Sequence, residues 1–129
     1  MANRFVEFRL LRLHPGQRAQ FAARFASHLL PLHEQHGIEV VSWGLSLHDS
    51  DSFYVIRAHP SVEGRQKTLD ALFGSDEWLR DQEEDVWGMI ESYNTCVVEA
   101  SEPLIVALRT GLVRATEEDS MPPGWRSGM

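Results

Sequence analysis

The sequence lacks the features that mark secreted and membrane proteins. It has one cysteine, Cys96, in 129 residues, so no disulfide can form within the chain. A single cysteine favours a reducing compartment. The first nine residues alternate apolar and charged side chains instead of forming the apolar stretch of a signal peptide, and no apolar run reaches the roughly 20 residues that span a bilayer. We therefore expect a cytoplasmic protein that does not bind membranes.

The sequence also lacks positive charge of the kind that binds nucleic acid. It has 12 lysines and arginines against 19 aspartates and glutamates, a formal net charge of −7. The arginines are scattered among acidic residues and form no basic cluster. Because neutralising phosphates requires a basic surface, this distribution argues against nucleic acid and anionic membranes as partners.

The common catalytic and cofactor motifs are missing as well. There is no Gly-rich phosphate loop, no Cys-x-x-Cys pair and no evident Ser-His-Asp triad. His33 and His36 flank Glu34-Gln35, but metalloprotease helices space their histidines by four residues, and no third ligand is evident. Solvent exposure at a helix end is the favoured interpretation of both histidines. The sequence therefore predicts no metal and no cofactor.

The sequence does contain strong secondary-structure signals at its beginning. Residues 4–13 alternate in polarity with period two, which predicts a strand. Residues 17–36 predict a helix, with Pro31 expected to kink or break it and Gly37 to end it. Its apolar stripe has three- and four-residue spacing, and consists of Phe21, Phe25, Leu29 and Leu32.

The remaining signals complete one α+β domain. Residues 38–48 and 53–58 predict an antiparallel hairpin, Ser61 and Ser75 are expected to cap two helices, and residues 93–100 predict the last strand. The order β-α-β-β-α-α-β is that of a ferredoxin-like domain with an antiparallel four-stranded sheet. We assign residues 1–101 to this domain. Residues 102–129 are a C-terminal extension, with Leu104–Leu108 a short strand or packed segment and a loose chain after Thr116.

One face of such a sheet is left without helices. Leu11, Ile56 and Val97 are expected on that second face, together with Glu7 and Arg9. Exposed apolar sheet surface commonly marks an interface, and two-fold pairing is the commonest way to cover it. We therefore expect a homodimer.

Several segments resemble the NIPSNAP family. Glu7–Gly16 is similar to its first strand, in which Glu-x-Arg leads into a Pro-Gly turn. Phe53–Ser61 looks like its third strand, Ala71–Trp78 like its helix end followed by tryptophan, and Pro31–Gly37 like the end of its first helix. The resemblance covers about residues 4–101. It implies a dimeric α/β-barrel fold, in which related barrels hold flat organic molecules or haem between sheet and helices, and it implies no established reaction.

Eight side chains are the candidates for a site. Histidines titrate near neutrality and can serve as acid or base. Glu7 and Arg9 form either a structural ion pair or a charge pair that orients a bound acid or carbonyl, and the aromatic rings either line a cavity or fill the core. The catalytic candidates are His28, Tyr54, Arg57 and His59, and the ligand-binding candidates are Glu7, Arg9, Trp43 and Trp87.

Three functions remain open at this stage. The first is binding of a small hydrophobic or aromatic metabolite between sheet and helices. The second is a cofactor-independent oxygenase, cyclase or isomerase, and the third is a non-catalytic dimeric adaptor. A pocket with a few convergent polar groups would favour the first two.

Overall fold

A four-stranded antiparallel sheet in the order β2-β3-β1-β4 organises the protein, seen here in a computed structural model that describes residues 3–119. The strands are β1 Arg4–Leu13, β2 Glu39–Leu45, β3 Ser52–His59 and β4 Ile90–Ala100. The helices are α1 Arg18–Arg24, α2 Leu30–Gln35, α3 Val62–Phe73, α4 Glu83–Met89 and α5 Glu102–Gly111. The predicted α+β order is confirmed through β4. Within residues 3–119 no helix is long and apolar enough to cross a membrane.

The expected caps and turns bound these elements. The Ser61 hydroxyl accepts a 2.8 Å hydrogen bond from the Gly64 amide and so starts α3, as an N-cap should. Ser75 accepts a 3.3 Å bond from the amide of Trp78 at the start of the next helical segment. Gly37 follows α2 with φ of +70°, in the left-handed region that glycine enters without strain.

Of the kink or break expected at Pro31, the structure excludes the break. Helix α1 continues into a π-helical turn, Phe25–Leu29, which leads directly into α2. In this turn the Leu30 amide bonds to the Phe25 carbonyl, five residues back. Pro31 lies in the first turn of α2, where a missing amide hydrogen is tolerated. The wider turn therefore accommodates the proline within a continuous helical path.

The main core lies between one face of the sheet and α1 to α4, and it corrects the expected assignment of faces. Leu11 lies opposite Phe53 on this helix-covered face, and Glu7, Arg9 and Val97 lie on the same side, so their expected place on the second face is wrong as well. Ile56 lies opposite Phe8 on the second face. Leu11 and Ile56 therefore cannot share a face, because neighbouring strands alternate their side chains in register.

Leu104–Leu108 belongs to α5, so this segment is a packed helix and not a strand. Ile105 is fully buried and Leu108 packs on the second face of the sheet. Arg4 anchors the start of the helix through two 2.7 Å hydrogen bonds to the Glu102 carboxylate. These contacts are distant in sequence, which explains why local patterning did not reveal them.

The chain after α5 returns to the helix-covered side of the sheet. The guanidinium of Arg114 stacks on the Trp43 ring, 3.8 Å from its centroid. Arg18, 1% exposed, donates to the Glu117 carboxylate at 2.9 and 3.2 Å. It also donates to the carbonyls of Ser46, Asp49 and Ser52. The loose chain expected after Thr116 falls mainly on residues 120–129, which lie outside the described residues.

Candidate functional site

A buried carboxylate, Glu7, organises the polar centre of the helix-covered face. Glu7 is fully buried in the middle of β1, directly opposite Arg57 on β3. Arg57 donates to its Oε2 at 3.1 Å, and Arg65 from α3 donates to the same oxygen at 3.2 Å. The His59 ring nitrogen Nε2 lies 3.0 Å from Oε1. Arg9 approaches to 3.9 Å, so the carboxylate is shared among groups from two strands and a helix.

His33 extends this cluster to the first helical segment. Its Nδ1 lies 2.7 Å from the Leu29 carbonyl, which can only accept, so Nδ1 carries the proton. Its Nε2 then accepts a 3.1 Å hydrogen bond from Nε of Arg57. The carbonyl of Leu29 belongs to the π-helical turn that precedes Pro31. The two bonds fix the ring's tautomer and orientation.

The titration behaviour of the cluster follows from burial and charge. Burial, the largest effect, and the adjacent Arg57 charge lower the pKa of His33 to about 4. Burial alone would raise the pKa of Glu7, but the His59 hydrogen bond and the charges of Arg57 and Arg65 outweigh it and hold that pKa far below its usual range. Burial lowers the pKa of Arg57 and of Arg9 from the arginine value, and Glu7 opposes this shift. At neutral pH His33 is therefore neutral and Glu7 ionised.

The charges of this cluster do not balance. Three guanidinium groups, on Arg9, Arg57 and Arg65, have Glu7 as their ion-pair partner among the described residues. Three positive charges against one negative leave a formal excess of two. Buried charges normally require compensation, so an uncompensated guanidinium favours a site for an added anion. This imbalance is the main chemical property of the site.

A small cavity lies beside the cluster, between sheet and helices. Its volume is about 50 Å³, room for a few waters or the head group of a small acid. Arg9, His33 and Arg57 form its polar wall. Its apolar lining includes Phe25, Leu29, Phe73, Trp78, Val86 and Trp87. The two π-helical turns, Phe25–Leu29 and Trp78–Gln82, both contribute to this lining, and such turns occur frequently at functional sites.

The structure brings together only part of the predicted set. Glu7, Arg9, Arg57 and His59 belong to the cluster, and Trp87 lines the cavity. His28 lies outside it, since it is exposed and hydrogen bonds to Ser27.

Two predicted aromatic residues also lie apart from the cavity. Tyr54 faces the opposite side of the sheet, packed against Gly44. Trp43 packs on Phe25 and Phe53 beneath Arg114.

Sequence reasoning missed two members of the cluster. His33 was expected at an exposed helix end, yet it is 4% exposed. It lies four residues after Leu29, in line with the apolar stripe, and that spacing could have revealed it. No sequence pattern of this kind pointed to Arg65, because its position beside Glu7 depends on how α3 packs on the sheet. Within residues 3–119 no three His, Cys, Asp or Glu side chains are placed to share a metal ion.

A larger cavity lies on the second face of the sheet. Its volume is about 690 Å³. Phe8, Leu10, Tyr54 and Ile56 form its floor, and Leu108 and Leu112 from the C-terminal segment form one side. Its lining is predominantly apolar. The side chains of the helix-covered site do not reach it, because the sheet separates the two faces.

The sheet order and the packing of α1 to α4 on one face define a ferredoxin-like α+β protein, and solved structures share this fold. A NIPSNAP family protein of unknown function from Agrobacterium tumefaciens aligns with a TM-score of 0.71 and 19% identity, covering 78% of this chain and 92% of that one. A putative antibiotic biosynthesis monooxygenase from Nitrosomonas europaea aligns with a TM-score of 0.59 and 14% identity, covering 80% and 95%. These likenesses establish the fold.

The family follows from the sequence itself. The NIPSNAP family model matches residues 6–101, and the chain belongs to the NIPSNAP family. An uncharacterised NIPSNAP-like domain protein from Burkholderia xenovorans also aligns, with a TM-score of 0.68 and 14% identity over 76% of this chain and 85% of that one. No curated protein matches the sequence significantly. The specific function of this family member is therefore open.

Proposed function

We propose that this protein binds a small hydrophobic or aromatic metabolite that carries an acidic group. The acidic group would lie in the cavity between sheet and helices, against Arg9 and Arg57. The observation that carries this proposal is the excess of two positive charges around Glu7. A guanidinium shielded from water binds a carboxylate strongly, because charge-assisted hydrogen bonds are stronger than neutral ones and its planar fork matches the carboxylate.

The size of the cavity limits how such a ligand can bind. About 50 Å³ accommodates a carboxylate and little more. The apolar part of the ligand must therefore extend past Trp87, which lines the cavity and is 38% exposed. Aromatic side chains at this position suit a flat apolar body.

Pairs of ligands that have similar shapes, one an anion and the other neutral, test the proposal. Benzoate and acetate should bind in calorimetry and raise the melting temperature, whereas the neutral benzamide and acetamide should not. Arg9→Gln should remove the difference between acid and amide. Arg80→Gln, an exposed arginine paired with Asp81, is the control and should retain it. Equal effects of acids and amides on the wild-type protein would refute the proposal.

Turnover is the second candidate, favoured by the fold shared with the putative monooxygenase. The site itself supports binding more than catalysis. A general base works best with a pKa near the working pH, and the pKa of His33 lies at about 4 with its Nε2 engaged by Arg57. Mass spectrometry of candidate acids after incubation with the protein would detect turnover. An adaptor function without a ligand would be left if neither binding nor turnover is observed.

We also propose that the protein is a homodimer, with the second faces of two sheets meeting in a barrel. The support is apolar surface on and beside that face, which includes Leu10, Val98 and Leu104 at 56%, 39% and 48% exposure. Such patches commonly mark interfaces. Sedimentation equilibrium at micromolar concentration should give twice the chain mass, and a mass near 14.7 kDa would contradict the proposal.

A cytoplasmic location is proposed on the chemistry of one residue. Cys96 is a free, exposed thiol, and exposed thiols persist best in a reducing compartment. Fractionation of the host cells should find the protein in the cytoplasmic fraction. Recovery from the medium or from washed membranes would contradict this assignment.

A further inference from the structure

We infer that the anion site is completed by a second copy of this chain, so that ligand binding and dimerisation strengthen each other. This inference rests on the proposed function and adds a regulatory link to it. The side of the anion site that faces β4 is the open side. There the helices stop short of the sheet edge.

The residues of β4 beside the site are uncovered. Residues 91–99 are all exposed, on both faces of the strand. Thr95 lies directly opposite Arg9, and Val97 directly opposite Glu7, so both are on the helix-covered side. The helices bury Glu7 completely but leave Val97 38% exposed. A strip of bare sheet therefore borders the cluster.

Two aromatic rings separate the site from solvent along this strip. The guanidinium of Arg9 lies 4.4 Å from the centroid of the Tyr93 ring, which is 48% exposed. Trp87 packs on Tyr93 with 5.6 Å between ring centroids and is itself 38% exposed. Ligand sites usually bury most of the ligand surface, and charge interactions weaken in contact with water. The site is thus incomplete on its β4 side.

A second copy is the occupant that the geometry favours. β4 has 11 residues and is an edge strand, with one side of its backbone unpaired in the sheet. Long apolar edge strands invite pairing with another chain. Four strands of 10, 7, 8 and 11 residues make a face with an area on the order of 600 Å², part of which α5 covers. The open part of the face and the exposed apolar side chains of α5, such as Leu104 and Val106, together form one surface that a partner of this size, which buries roughly 800 Å² in a specific interface, can cover. The bare strip is continuous with the second face through this edge, so one partner can cover both.

The decisive variant breaks the dimer without touching the site. Leu10→Lys changes a side chain that is 56% exposed on the second face, where the sheet separates it from Arg9. Its added positive charge would not repel an anion, so a loss of benzoate affinity must come from the lost partner. Val62→Lys, on the outside of α3 and 54% exposed, is the matched control.

Calorimetry measures the affinity for benzoate, and sedimentation equilibrium measures the association of the dimer. We expect monomeric Leu10→Lys to bind benzoate roughly tenfold more weakly than wild type, and dimeric Val62→Lys to bind it unchanged. Saturating benzoate should tighten the wild-type dimer by the square of this factor, roughly a hundredfold, since coupling is reciprocal and each of the two sites of the dimer contributes it once. This second measurement needs no variant, and it decides the matter if Leu10→Lys fails to fold or stays dimeric.

Each contrary result has a distinct meaning. Equal benzoate affinity of monomeric Leu10→Lys and wild type would overturn the inference while leaving the anion site intact. A dimer constant unaffected by benzoate would overturn it too, as would a wild-type protein that binds benzoate as a monomer at every concentration. Failure of the wild-type dimer to bind benzoate or acetate would instead refute the proposed function, and the inference with it.

Discussion

Mild acid is expected to destabilise this protein through one buried histidine. The pKa of His33 is about 4 in the folded protein, against about 6.5 in an unfolded chain. Above the unfolded value both states are neutral and His33 has no effect on the pH dependence. As the pH falls below about 6.5, the unfolded chain takes up a proton that the folded protein does not, so the free energy of unfolding falls until the pH reaches the folded value.

The size of this effect follows from the two pKa values. At about pH 5 the unfolded His33 is almost fully protonated and the folded one is mostly neutral, which corresponds to a loss of about 2 kcal/mol relative to about pH 7.5. Glu7 adds little to the loss of unfolding free energy in this pH range. Its depressed pKa stabilises the fold above the ordinary carboxylate value, and this contribution is lost only as the pH falls well below that value.

Urea denaturation followed by tryptophan fluorescence measures this change. For a domain of this size, a loss of about 2 kcal/mol lowers the denaturation midpoint by roughly 1 M. His33→Gln keeps a donor for the Leu29 carbonyl and an acceptor for Arg57 but cannot titrate, so its midpoint should depend much less on pH. His28→Gln changes an exposed histidine and should behave like wild type. Equal acid sensitivity of His33→Gln and wild type would refute this reasoning.

Three further substitutions test the packing around the site by the same urea assay at neutral pH. Glu7→Gln leaves three guanidinium groups without a carboxylate and should lower the free energy of unfolding by about 3–5 kcal/mol. The control Glu99→Gln changes an exposed residue and should lower it little. A small loss for Glu7→Gln would contradict the buried network. Phe53→Ala removes a core ring whose centroid lies 5.0 Å from that of Phe21, and it should lower the free energy of unfolding by about 3–5 kcal/mol. A loss below about 1 kcal/mol would show a loosely packed core. Ser61→Ala removes the α3 cap and should cost about 1 kcal/mol, more than Ser61→Gly, and the reverse order would argue against capping.

The amino-acid sequence by itself determined the elements from β1 to β4 and their order. Strand β1 has the predicted bounds, 4–13, because period-two alternation is a local pattern that requires no partner strand. The capping roles of Ser61 and Ser75 were also predictable, since a hydroxyl satisfies the free amides of the first turn within a few residues. Four members of the cluster, Glu7, Arg9, Arg57 and His59, were candidates because polar side chains stand out within apolar strands.

Only the tertiary structure decided how these elements meet. The assignment of Leu11 and Ile56 to opposite faces depends on the register between β1 and β3, which a shift of one residue would reverse. The contact of His33 with Arg57 depends on how α2 packs on β3, and the place of Arg65 depends on the packing of α3. Arg57 and Glu7 are 50 residues apart in the chain. Their contact, and with it the unbalanced charge of the site, arises from long-range packing that no local sequence pattern encodes.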